Sequence, residues 1–269
     1  MRKFRCKRIC RPKVTIKDLD RRPPSYADRW APMLAGNGCS GCMACAEVCP
    51  TGAIAFNNSG QILFKHDACI ACRACTDLCE PGVLILGPGI GGAVTRSELS
   101  YVGSTDKASA DEPAIRPLKT PGPSKTIKIF AKSMHVREVD CGSCNACELE
   151  IAAISNPVYD AERFGISFVA SPRHADVLFV TGSVTRQMEL ALNKTMAATP
   201  SPKLVVAVGA CACSGGLFGN TQFAGAGVDA SIKVDIYIPG CPPSPRAILS
   251  SIRGLQRGTI TRSEHDHSR

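Results

Sequence analysis

Residues 39–56, "CSGCMACAEVCPTGAIAF", and residues 69–86, "CIACRACTDLCEPGVLIL", are one unit written twice at a displacement of thirty residues. Each copy carries four cysteines spaced C-x2-C-x2-C-x3-C, then a glycine, Gly52 or Gly82, and then an apolar run. The copies depart at one point: the first continues "CPTG" and the second "CEPG", so the proline moves by one position. Between the cysteine runs, "AIAFNNSGQILFKH" alternates in polarity on either side of an Asn-Ser-Gly turn, as a hairpin does. Residues 31–87 are therefore expected to form one small α+β module whose halves are related by a pseudo-twofold axis.

The spacing selects the chemistry. A loop with three cysteines at intervals of three wraps three corners of an iron–sulfur cubane, while the fourth leaves on the following helix and reaches the other cluster. That rule gives Cys39, Cys42, Cys45 and Cys79 to one [4Fe–4S] cluster, and Cys69, Cys72, Cys75 and Cys49 to a second. Zinc ribbons use C-x2-C pairs separated by a longer loop, which two interlocked four-cysteine runs fit poorly. The region resembles a two-cluster bacterial ferredoxin domain.

Composition supports metal over disulfides. Sixteen cysteines among 269 residues is heavy usage, but their crowding suits ligands better than long-range staples. The opening "MRKFRCKRIC" lacks the apolar stretch of a secretory signal, and Arg21-Arg22 is followed by no hydrophobic segment. A reducing, cytoplasmic compartment is expected, in which thiols serve metal. No window reaches the roughly 20 apolar residues of a membrane span. Of the net charge of +9, residues 1–30 hold eleven Lys/Arg against three Asp, or +8. This basic arm is expected to dock on a partner or stay solvated; no aromatic platform or DNA-binding motif accompanies it, so no nucleic-acid partner is expected.

From residue 88 to 125 the chain turns rich in Gly, Ser, Thr and Pro, and reads as a linker. Beyond it, "ISFVA" (166–170), "DVLFVTG" (176–182), "KLVVAVG" (203–209) and "VDIYIPG" (234–240) are continuous apolar runs ending in small residues, the pattern of strands buried on both faces. Helical spacing separates them in "VTRQMELALNKTMAA" and follows Pro245 in "RAILSSIRGLQ". The expectation for residues 126–256 is an α/β domain with a parallel, flavodoxin-like sheet and right-handed crossovers, ahead of a polar tail at 257–269.

A second cysteine set runs through this region: "CGSCNACELEI" (141–151), "VGACACSGGLFG" (208–219) and "DIYIPGCPPSPRAIL" (235–249). Cys211 and Cys241 stand in loops directly after expected strands, the edge where open α/β sheets bind ligands. With "SPRHADVLFVTGSVT" (171–185), these stretches make residues 126–256 resemble the small subunit of [NiFe] hydrogenases of the energy-converting, formate-hydrogenlyase type (group 4). That family is similar to the complex I subunit carrying the terminal [4Fe–4S] cluster. The resemblance implies that Cys144, Cys147, Cys211 and Cys241 hold a third [4Fe–4S] cluster, making three in all. The complex I subunit begins with adjacent cysteines, whereas Cys144 and Cys147 are separated, as in the hydrogenases. Cys141 and Cys213 are surplus, although each has the spacing to replace a neighbour, and Cys6 with Cys10 form only a half-site. Glu148 and Glu150 follow the ligands on an expected helix, the resemblance making Glu150 a candidate for proton movement; Arg173 and His174 are candidates for a place near the cluster or a subunit interface.

The resemblance implies an electron-transfer subunit of an oxidoreductase complex with no active site complete in this chain. Its implied partners are a nickel-bearing large subunit or its complex I-like homologue, membrane subunits, and a soluble donor or acceptor such as ferredoxin or formate dehydrogenase. The chain would attach to the cytoplasmic membrane through those partners. A quinone-linked, complex I-like role is the alternative.

Overall fold

The structure, a computed structural model, describes residues 14–16, 19, 29–35, 39–89, 91–103, 130 and 132–257. The first module opens with strand β1 (Arg29–Leu34), followed by helix α1 (Ala44–Glu47), β2 (Ile54–Phe56), β3 (Ile62–Lys65), α2 (Ala74–Asp77) and β4 (Leu84–Pro88). β1 pairs antiparallel with β4, and β2 with β3 in the expected hairpin. The sequence repeat reappears in the backbone. Met43 and Arg73, thirty residues apart, are both left-handed at φ 64° and 68°, and Gly52 and Gly82 at 62° and 63°.

The segment read as a linker is built differently in its first half. Residues 96–99 form a 3-10 turn, and β5 (Ser100–Val102) adds a third strand to the hairpin by pairing with β3. Ala93 exchanges both backbone hydrogen bonds with Tyr237 in the second module, and Leu99 is fully buried. A three-residue strand has too few positions to show a periodicity, which is why composition suggested a loop. Residues 104–129 lie outside the described residues.

The second module consists of β6 (Met134–Asp140), α3 (Ala146–Ala153), β7 (Ile166–Phe168), β8 (Val177–Thr181), α4 (Arg186–Ala198), β9 (Leu204–Val208), α5 (Ala210–Ser214), β10 (Ile236–Ile238) and α6 (Pro245–Arg257). Its five strands lie in the order β10-β9-β8-β6-β7, and every pairing is parallel. β8 and β9 are buried at every residue. Val177 and Phe179 face one core with Ile248, Ile252 and Leu255 of α6; Leu178 and Val180 face the other with Leu192 of α4. β6, from which the strand order runs both ways, was not singled out from sequence: "MHVREVD" mixes charged residues into the strand, and only Met134, Val136 and Val139 of it are buried.

Part of the basic arm packs on this module. Leu19 is 6% exposed within the core that includes α6, and its carbonyl accepts from Nε and Nη2 of Arg246 at 3.0 and 2.7 Å. Ile16 N–H donates to the Val158 carbonyl at 2.8 Å. Burying Leu19 contributes about 2 kcal/mol, so the chain is pinned here before it enters the first module. Residues 1–13, 17, 18 and 20–28 of the arm, Cys6 and Cys10 among them, and the tail at 258–269 lie outside the described residues.

His66 marks the junction of β3 and β5. It is 2% exposed among Trp30, Phe64 and Tyr101, with ring centroids at 6.1, 6.2 and 5.1 Å. Its Nε2 lies 3.1 Å from the Pro32 carbonyl, which can only accept, so Nε2 carries the hydrogen. Burial lowers its pKa to about 4, below the ordinary 6.5. The unfolded chain therefore takes up a proton near pH 6.5 that the folded chain refuses until about pH 4, and stability falls as the pH drops through that window. Between pH 7.5 and 5 the loss is about 2 kcal/mol. Urea midpoints of wild type and His66→Phe, compared across that range, should show the variant lacking this slope.

Candidate functional site

Three turns of the same design carry the cysteine sets. In Cys42-Met43-Ala44-Cys45, Cys72-Arg73-Ala74-Cys75 and Cys144-Asn145-Ala146-Cys147, the residue after the first cysteine is left-handed, with φ of 64°, 68° and 67°, and a helix starts at the alanine. A left-handed residue is uncommon outside glycine. Here it turns the chain at the start of α1, α2 and α3.

The first module interlocks its two sets. Cys49 and Cys69 pack with one small core of Trp30, Ala31, Ala53 and Ala68, and Cys39, Cys45, Cys75 and Cys79 against another containing Leu34, Ile54 and Phe64. A cavity opens among Cys49, Cys69, Cys72 and Cys75, walled by Trp30 and Leu86. Burial and then the neighbours Cys75, Cys49 and Cys72 push Cys69 up to about 12. Burial, Cys49 and Cys72 push Cys75 up to about 11, and burial with Cys39 and Cys42 raises Cys45. Cys49 goes the other way: burial raises it, but hydrogen bonds from Thr51, Ile54 and Ala53 outweigh that and lower it.

The second module gathers Cys144, Cys147, Cys211 and Cys241 at the carboxyl edge of the sheet. Cys144 and Cys147 follow β6, Cys211 lies on α5 after β9, and Cys241 follows β10. Burial raises Cys147 strongly, followed by Glu148, Cys211, Cys241 and Cys144; Cys211 rises to about 11 through burial, Cys241 and Cys144. Burial and Cys144 raise Cys241. Bare backbone lets the loops close: a Cβ on Gly209 would stand 2.5 Å from Cys147 Sγ, and one on Gly182 2.6 Å from the Gly142 carbonyl carbon.

These donor sets fit iron–sulfur clusters. Cys45, Cys69, Cys75, Cys147 and Cys211 are each raised by burial and by neighbouring cysteines, so they cannot all ionise unaided, and a cationic iron–sulfide core supplies the missing counter-charge. Among the described residues, no three His, Cys, Asp or Glu side chains gather as around a single metal ion. Two further thiols lie in the apolar core. Cys141 and Cys213 are fully buried in the core that contains Leu192, burial first and then Asp140 raising Cys141 to about 12. Cys213 Sγ lies 3.7 Å from the Ala207 carbonyl.

Arg173 and His174 sit on an exposed turn entering β8, at the opposite edge of the sheet from the thiols. Glu148 follows Cys147 directly: both its carboxylate oxygens are buried without a hydrogen-bond partner among the described residues, as is Oε1 of Glu138. Burial and then Glu148 raise Glu138, and burial raises Glu150. Sequence reading missed Glu138, because its strand was not recognised, and missed Asp67, Arg96, Ser214 and Asp229, which join the modules.

Residues 144–255 match the family of the NADH ubiquinone oxidoreductase 20 Kd subunit, and residues 38–88 match the 4Fe-4S dicluster domain. The chain is 48% identical over 125 residues to the probable membrane-bound hydrogenase subunit mbhJ of Pyrococcus furiosus, covering 46% of this chain and 75% of that one. It is 49% identical over 123 residues to formate hydrogenlyase subunit 7 of Escherichia coli, covering 46% of this chain and 48% of the relative, about half its length. With an NADH-quinone oxidoreductase subunit of Geotalea daltonii it shares 46% identity over 110 residues, 41% of this chain and 64% of the relative. Among solved structures, a chain of the membrane-bound sulfane sulfur reductase, an archaeal respiratory membrane complex, aligns at 33% identity with a TM-score of 0.44, covering 49% of this chain and 73% of that one. With its thiols gathered at the sheet edge and a dicluster domain ahead of them, the chain belongs to the family of group 4 hydrogenase and complex I-like iron–sulfur subunits, to which a ferredoxin domain is joined.

Proposed function

We propose that the chain is the electron-transfer subunit of a membrane-associated [NiFe] hydrogenase complex, linking a ferredoxin- or formate-dehydrogenase-type partner to the nickel–iron site of a separate large subunit. The observation that carries this reading is the convergence of Cys144, Cys147, Cys211 and Cys241, with its first pair separated by two residues. On this reading Cys39, Cys42, Cys45 and Cys79 hold one cluster, Cys69, Cys72, Cys75 and Cys49 the second, and Cys144, Cys147, Cys211 and Cys241 the third. Each cluster, when bound, takes up and releases one electron. The order β10-β9-β8-β6-β7 supports a flavodoxin-like reading, in which the order reverses between β6 and β8 and such sheets bind ligands at the crevice there.

The chain's own contribution is position and shielding. Trp30 and Leu86 wall the cavity beside Cys49, Cys69 and Cys75, and amide groups around Cys49 donate to its sulfur, with Ala53 N–H at 3.2 Å. No helix among the described residues is long and apolar enough to cross a membrane. Attachment to the cytoplasmic face through partner subunits is part of the proposal. The likeness to the NADH-quinone oxidoreductase subunit supports a second reading, quinone-linked electron transfer. Nickel decides between them. A complex purified anaerobically on this chain should contain about one nickel per copy beside about twelve irons belonging to the chain; full clusters without nickel would leave the quinone-linked role.

Iron removal should separate the modules. Among the described residues, the first has two cores of five buried residues each, against nineteen and seventeen in the cores of the second. Too little apolar surface is buried in the first to offset its chain entropy, so metal binding is part of its folding. Anaerobic chelation should abolish amide protection throughout residues 39–88 while β8 and β9 keep theirs, as read by hydrogen exchange.

A further inference from the structure

We propose that Arg96 is a positioning residue that locks the two modules together and so sets the distance between the Cys69 set and the Cys147 set. The inference rests on the electron-transfer reading for its purpose, and on geometry for its existence. Arg96 Nε and Nη2 lie 3.1 and 3.0 Å from Asp67 Oδ2 in the first module, and Nη1 lies 3.3 Å from Asp229 Oδ2 in the second. Asp67 stands two residues before Cys69. Its backbone carbonyl accepts a hydrogen bond of 3.0 Å from Ser214 Oγ, at the end of the short helix that carries Cys211. The clasp therefore closes directly over the place where the ligand loop of one module touches the ligand helix of the other.

Both ends of the clasp are held. Asp229 also accepts from the Tyr237 hydroxyl at 3.2 Å, and Tyr237 pairs through its backbone with Ala93, three residues before Arg96. The 3-10 turn that carries Arg96 is closed by a capping box, with Glu98 Oε2 accepting from Val94 N–H at 3.0 Å and Thr95 N–H at 3.1 Å. Leu99 anchors the turn in the core of the second module. An exposed ion pair would contribute little. Here the Asp67 side chain is only 7% exposed, and one planar guanidinium serves two carboxylates that would otherwise repel each other across the junction. Lysine has the charge but not the fork.

Electron tunnelling weakens steeply with distance, so a rigid junction makes the distance reproducible from molecule to molecule. Without the guanidinium, two like charges face each other where the modules meet.

The test uses the full chain loaded anaerobically with iron and sulfide, as wild type, Arg96→Ala, Arg96→Lys and Asp229→Asn. Three quantities are read: iron per chain, hydrogen exchange at residues 66–69 and 214–216, and the magnetic interaction between reduced clusters in electron paramagnetic resonance. In Arg96→Ala, iron should stay at the wild-type value, exchange at both segments should rise about tenfold or more, and the magnetic interaction should weaken. Exchange in β8 should not change. Arg96→Lys should fall between the two, and Asp229→Asn should raise exchange at 214–216 without loss of iron. Wild-type exchange and wild-type magnetic interaction in a fully loaded Arg96→Ala chain would overturn the proposal. If that variant fails to load, an unchanged junction in Asp229→Asn overturns it equally. A wild-type chain that never holds a third cluster would defeat the electron-transfer reading instead, and exchange alone would still decide whether the clasp exists.

Discussion

Replacing Cys147 by alanine is expected to remove about four of about twelve irons per chain and to abolish electron transfer through the second module. The thiol is the most strongly perturbed of its set, with burial, Glu148 and three cysteine neighbours all opposing its ionisation in the absence of a metal core. Cys141 and Cys213 are expected not to replace this corner. Cys141 has the right sequence spacing, but it is fully buried among apolar residues, and its one charged neighbour of note is Asp140. Cys213 is turned toward the Ala207 carbonyl. Alanine at Cys141 or Cys213 should therefore leave the iron content intact and cost about 1 kcal/mol of stability. Iron and acid-labile sulfide, counted in the three variants, check the assignment. Loss of iron in Cys141→Ala with retention in Cys147→Ala would reverse it.

Gly209→Ala should have an effect almost as large without touching a ligand. Gly209 has φ 93° and ψ 160°, a conformation that L side chains rarely adopt, so any replacement there carries about 1–3 kcal/mol of strain. The added Cβ would also lie 2.5 Å from Cys147 Sγ. The backbone cannot retreat: Gly209 N–H donates to the Ile238 carbonyl and Ala210 N–H to the Gly240 carbonyl, each at 2.8 Å. The sulfur must move, and the third cluster should be lost or fail to assemble. Gly52→Ala provides the control. Its φ is 62°, but a Cβ there meets nothing within 4 Å, so it should show strain alone and keep its iron. Equal iron loss in the two variants would mean that strain, rather than contact with the sulfur, governs assembly.

Much of this arrangement could be read before any fold was known. The cysteine repeat, the hairpin between its halves and the apolar runs at 177–181 and 204–208 all depend on neighbours a few residues away, and such patterns survive in a linear string. The strand Met134–Asp140 did not announce itself, because Arg137, Glu138 and Asp140 interrupt its apolar face. Residues 89–103 looked like a linker because their structure comes from partners far along the chain: Tyr237 for Ala93, Ser251 for Gly92 and Ile62 for Gly103. The arm residues Ile16 and Leu19 likewise find their places against Val158 and Arg246.

Which residues could act as ligands, and in what groups of four, follows from side-chain chemistry and spacing, since thiolates three residues apart already face a common centre once a turn forms. Where each thiol lies depends on direction. Cys141 and Cys144 have the same spacing as Cys144 and Cys147, and only the end of β6 and the left-handed turn at Asn145 send the first into the core and the others to the edge. The junction of the modules is likewise a tertiary matter. Asp67, Arg96, Ser214 and Asp229 carry no shared motif and span more than 160 residues of sequence. They meet because two separately packed cores bring their surfaces together, and hydrogen bonds and charge act at a few ångströms of space, however long the chain between them.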